Sequence, residues 1–170
     1  SPLQNALVFL DFDSDGDDGF GVRNNDEPYA QTASDGSFTI AAADLPANFD
    51  ELTYRIVATS EEGSGVVNQE GQSVEGVTLV AQSGATVVTP FTTLIEASDM
   101  ELADFQEAMG IQFNPLTFNP YEDTSSNFAV EAAVKAKQVM TVLEAVASTS
   151  VGAGADQDQA MKSAIEAFVE

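Results

Sequence analysis

Residues 6–19 read Ala-Leu-Val-Phe-Leu-Asp-Phe-Asp-Ser-Asp-Gly-Asp-Asp-Gly, and the parsing of this stretch decides the fold. Leu7 to Leu10 is an apolar run of strand length. It passes directly into a loop with carboxylates at Asp11, Asp13, Asp15, Asp17 and Asp18. Such a start opens an α/β domain if helices alternate with the later strands, and an antiparallel sheet if more short strands come next. The segments beyond the loop are strand-like. Ser37 to Ile40 alternates after the turn pair Asp35-Gly36, and Leu52 to Thr59 is rich in β-branched and aromatic residues. Gly65-Val66-Val67, Val77 to Val80 and Thr86 to Val88 come next, each after a glycine, with no helical period between them. This predicts a small antiparallel β-sandwich up to about residue 88.

Beyond residue 88 the period changes. Pro90 suits the first turn of a helix through Phe91, Leu94 and Ile95. Ser98-Asp99-Met100-Glu101 has the form of a capping box, with Leu102, Phe105 and Met109 inward and Gly110 as the stop. Residues 114–127 hold two prolines and read as irregular. Phe128 to about Ser148 is a long Ala/Val helix. Val139, Val142, Leu143 and Val146 line one face and Val130 and Val134 the other, which predicts a central buried helix. Gly152-Ala153-Gly154 is expected to break it before a last helix capped by Asp156, with Met161, Ile165 and Phe168 inward. The expected fold class is therefore α+β, an N-terminal antiparallel β-sandwich over 1–88 followed by a C-terminal helical bundle over 89–170. The phenylalanines, Phe91, Phe105, Phe113 and Phe118 among them, are expected in the core.

Composition limits the function. The 170 residues carry 28 acids against 5 bases, a net charge of −23, with no His and no Cys. Residues 1–88 contribute −13 and residues 89–170 contribute −10, so the charge belongs to the whole molecule. Five scattered cations cannot form the basic footprint that nucleic acid requires, and an anionic membrane surface repels the chain. Without His and Cys there is no imidazole base, thiolate nucleophile, disulfide or usual zinc site. Hard, oxygen-seeking cations remain, calcium above all. Phe128 to Val151 is the longest apolar stretch, but Glu131, Lys135, Lys137 and Glu144 interrupt it, which argues against membrane insertion. Ser1 opens on the first module without a basic and apolar signal segment, so the chain is expected to be a soluble piece of something longer.

The acidic loop is the one stretch with recognisable chemistry. Calcium takes six to eight oxygens at roughly 2.3–2.6 Å, and carboxylates at alternate positions beside a turn-forming Gly16 can wrap such an ion. Asp11, Asp13, Asp15 and Gly16 match the opening of a helix–loop–helix calcium hand, but the twelfth position is Val22 and no helix precedes the loop. A closing carboxylate must come from Asp26 or Glu27. The strand ending in Asp11-Phe12-Asp13-Ser14 also resembles the nucleophile strand of haloacid-dehalogenase-type phosphotransferases. That family needs Thr or Val two residues after the second Asp, where this chain has Asp15, and its α/β fold does not suit the β-rich continuation.

A wider resemblance covers nearly the whole chain. The segments SPLQNALVFLDFDSDGDDG, DEPYAQTASDGSFTI, GATVVTPFTTLI, LTFNPYED and AVEAAVKAKQVMTVLEAVA resemble a module of very large bacterial secreted and surface proteins. These include calcium-rich, cadherin-like and repeats-in-toxin-type adhesins. The first half is similar to transthyretin-like and serine-aspartate adhesin B-type sandwiches. The resemblance implies calcium ligands at Asp11, Asp13, Asp15 and Asp17, with Glu27 closing beyond an insertion at about residues 19–25. It also implies a secreted, cell-surface location, and neighbouring modules or copies of the same protein as partners. The Lys–Asn crosslink of some related sandwiches is excluded inside this one, because the first 134 residues contain no Lys. The expected function is a non-catalytic, calcium-stabilised structural module of an adhesin, matrix or filament protein. The alternative is a module binding a glycan or peptide, against which the lack of Trp and the presence of only three Tyr count.

Overall fold

The computed structural model describes residues 2–12, 23–49, 52–61, 63–98, 100–119, 121–122 and 128–153, with side chains in the last helix given through residue 142 and at residue 145. The chain forms two compact units, Ser1–Gly84 and Ala85–Glu170. The first holds a four-stranded antiparallel sheet and the second holds helices, which makes the class α+β.

The strands of the first unit are β1 (Leu7–Phe12), β2 (Tyr29–Gln31), β3 (Tyr54–Ser60) and β4 (Val77–Gln82), in the order β2-β1-β3-β4. Register places Val8 opposite Ala58 and Ala58 opposite Leu79, and likewise Leu10, Ile56 and Ala81 in one row. Directly opposed residues share a face. All six are apolar and buried, and the next row on this face pairs Val77 with buried Ser60, whose hydroxyl donates to the Val77 carbonyl and accepts its N–H. On the other face the central row of Phe9, Val57 and Val80 is buried as well, between the rows Leu7–Thr59–Thr78 and Asp11–Arg55–Gln82. Burial on both faces explains the unalternating apolar runs in the middle of β1, β3 and β4, at residues 8–10, 56–58 and 79–81.

Three expected strands do not form. Asp35-Gly36 makes its turn, with the Ala33 N–H donating to the Ser37 carbonyl (2.8 Å) and the Gly36 N–H to the Ala33 carbonyl (3.0 Å). The Asp35 carboxylate also accepts from the Ser37 hydroxyl (2.6 Å) and amide (3.0 Å), and these bonds hold its pKa below the ordinary carboxylate value. Ser37 to Ile40 then runs on without joining a ladder, and β1 pairs with Tyr29–Gln31 instead. Val67 makes only isolated bridges, to Gln4 and Ser73. Thr86 to Val88 leads into a helix cap rather than a strand. The N-terminal segment is tied to the end of β2 by Thr32, whose hydroxyl donates to the Leu3 carbonyl (2.6 Å) and accepts from the Ala6 N–H (2.9 Å).

In the second unit, α1 spans Pro90–Ser98, α2 Leu102–Met109 and α3 Ala129–Ala153. The start of α1 is a reciprocal cap. The Thr92 N–H donates to the Thr89 hydroxyl (3.2 Å), and the Thr89 N–H donates to the Thr92 hydroxyl (2.9 Å), with Pro90 at the first helical position. The capping box expected at Ser98 is not one. Ser98 ends α1, its hydroxyl donates to the Ile95 carbonyl, and α2 begins after Glu101 with no side-chain cap. Gly110 terminates α2 in the left-handed region (φ 60°, ψ 35°), as its position predicts. Lys135 of α3 donates to the Met109 carbonyl (2.7 Å) and pairs with Glu131 (3.1 Å), placing a cation at the negative end of α2. Phe91, Phe105 and Phe113 are buried, and Phe118 stacks on Phe113 with ring centroids 4.6 Å apart.

α3 packs against α1, and it buries Ala129, Ala132, Ala136 and Val139, whereas Val130 is 77% and Val134 54% exposed. A helix buried on all sides is thus corrected to one with a small-residue inner face. It extends past the end expected near Ser148 to Ala153, within the Gly152-Ala153-Gly154 stretch where the break was expected. The expected last helix lies outside the described residues.

Candidate functional site

The end of β1 is fixed from two sides. Phe12 is buried and meets Phe49 and Tyr54 edge-on, at 6.5 and 6.3 Å between ring centroids, which anchors the strand where the acidic segment begins. On the β2 side, the Leu10 N–H donates to the Pro28 carbonyl (3.0 Å), so the chain re-enters the sheet immediately after Glu27.

Glu27 is 2% exposed, although it sits in an acidic, polar stretch. Its Oε1 accepts the Phe12 N–H (3.2 Å) and its Oε2 accepts the Asn24 N–H (2.8 Å). A carboxylate taken out of water is costly unless amides or cations replace the water, and two main-chain donors do so here. The turn is closed by the Glu27 N–H donating to the Asn24 carbonyl (3.3 Å). Arg23 adds a further tie, with Nη2 donating to the Glu27 carbonyl (3.2 Å) and its guanidinium lying 3.9 Å from the centre of the Tyr29 ring. Its Nε is buried and lacks an acceptor among the described residues.

Of the expected ligand set, Asp11 and Glu27 are described, and both stand at the base of the acidic segment. Asp11 is half-buried in the last rows of β1, opposite Arg55. Asp13, Asp15 and Asp17 lie outside the described residues. Between the two candidates for a closing carboxylate, Glu27 is buried at the neck and Asp26 is exposed on the turn. Among the described residues, no three or more Asp or Glu side chains gather into a group able to hold a metal. The donors that are placed are oxygens, which suits a hard cation and no soft one. The sequence reading did not single out Arg23, Asn24 or Tyr29. One signal was present, since Arg23 is one of only two cations in the first 134 residues and falls six residues before an aromatic.

In comparisons with known proteins, the chain matches no family model, no curated protein and no solved structure. Among the described residues, no helix is long and apolar enough to cross a membrane.

Proposed function

We propose that the protein is a non-catalytic structural module, stabilised by calcium held in the acidic segment after β1, and that it works outside the cell as part of an adhesin, matrix or filament protein. Asp11, Asp13, Asp15 and Asp17 supply carboxylates along the segment, and Glu27 stands at its neck. The observation that carries this reading is the pairing of a dense run of carboxylates with firmly anchored ends. Carboxylates so close in sequence repel one another unless a cation lies among them. The β-rich unit is read as a sandwich of transthyretin-like or B-type form, which the burial of both sheet faces supports. The helices of the second unit are read as a bundle. Its partners would be neighbouring modules or copies of the same protein.

Limited proteolysis tests this reading against catalysis. Calcium is expected to slow cleavage within residues 11–27 by ordering the segment, with no phosphate-ester hydrolysis in magnesium. Magnesium-dependent hydrolysis abolished by Asp11→Asn would overturn it, because Asp11 would then be a nucleophile.

A further inference from the structure

We infer that Glu27 is a clamp that fixes the two ends of the acidic segment at a set separation, and so acts as a positioning residue rather than as one more carboxylate in a binding loop. Phe12 is the last residue before residues 13–22, and Asn24 comes closely after them. One side chain accepts an amide from each, one on either oxygen. Its own main chain is engaged too, by the Asn24 carbonyl and by Arg23 Nη2. The residue is therefore fixed by four bonds at a point that is 2% exposed. Pro28, buried directly after it, carries the chain back to β1 through the Leu10 amide. The hydrogen bonds at the neck therefore join Phe12, Asn24 and Glu27 directly. A binding segment whose ends are already fixed loses less conformational freedom when it closes on a ligand. In the reading proposed above, this sets the cation affinity of residues 11–17, and that consequence rests on the reading, whereas the clamp does not.

Amide hydrogen exchange in chelator tests the clamp by itself. Glu27→Ala removes both acceptors, so the Phe12 and Asn24 amides should each exchange at least ~10-fold faster, while Val57 and Ala58 in the middle of β3 keep their protection. Glu27→Gln keeps the shape and one acceptor oxygen, so one of the two amides should stay protected and the other should not. This graded pattern is one that general destabilisation would not produce, and the Gln variant carries the test if the Ala variant fails to fold. Unchanged exchange at both amides in Glu27→Gln, or equal acceleration at Val57 and Ala58, would overturn the clamp. Calcium titration of the wild-type chain bears on the ion alone, so failure of one idea leaves the other readable.

Discussion

Gly36 turns the chain with φ at 80°, and the side of it that lacks a Cβ is filled by Pro2. A Cβ built there would stand 2.6 Å from the Cβ of Pro2. Gly84 has nearly the same φ, 83°, with open space around it. An L-residue in the left-handed region costs roughly 1–2 kcal/mol from backbone strain alone. Gly84→Ala should therefore cost about that much in denaturant unfolding, and Gly36→Ala clearly more. Equal costs would show that Pro2 does not pack on the turn. The turn itself was legible, because Asp35-Gly36 is a strong local signal. The Pro2 contact was not, because no local pattern links positions so far apart in the chain. Glu27 shows the same limit: the acid-rich stretch marked it as a candidate closing ligand, but nothing local showed that its carboxylate accepts main-chain amides from both sides of residues 13–22. The main-chain amides of Phe12 and Asn24 bond its two carboxylate oxygens at a buried position.

Elements were legible where local chemistry and tertiary packing agree. Pro90 marks a helix start that the structure keeps, where Thr89 and Thr92 add a reciprocal cap, and Gly110 marks a helix end. Ser98 misled because Ser-x-x-Glu fits a cap wherever it falls, and here the preceding helix uses the serine in its own last turn. Phe38 and Ile40 keep the alternation of a strand, both half-buried between exposed neighbours, yet they join no ladder. Alternation reports one buried side, and only a neighbour makes a ladder. On α3 the face expected through Val139 is buried at that residue, but Val130 and Val134, expected to bury a second face, are exposed. The alanines and valines of α3 are spread around the helix between the charged residues, so hydropathy gives little direction, and the close-packed side is the one with Ala129, Ala132, Ala136 and Val139. Ala132 is fully buried, so Ala132→Leu should cost about 1–3 kcal/mol through overpacking. Val134 is 54% exposed, so Val134→Lys should change stability by no more than about 0.5 kcal/mol. Chemical denaturation of the two variants separates the faces, and the reverse ranking would mean that α3 is rotated.

At the scale of the whole molecule, a net charge of −23 means that any cation stabilises the folded chain to some degree by screening self-repulsion. A specific calcium effect must therefore be measured at constant ionic strength, against a variant with the same fold and a damaged loop. The charge was plain from the sequence, along with the α+β class and the shift from strands to helices, since each is summed over many residues. How the acidic segment is held was not, because that depends on one buried side chain and two amides. The most direct measurement is the melting temperature of the β-rich unit in chelator and in millimolar calcium, at fixed high sodium chloride, for the wild type and for Asp13→Ala with Asp15→Ala. A bound ion contributes about 2.7 kcal/mol at a hundredfold excess over its dissociation constant, a rise of several degrees for a unit of this size. The wild type should show that rise and the double variant should not; equal responses in the two, or none in either, would contradict a calcium site in the acidic segment.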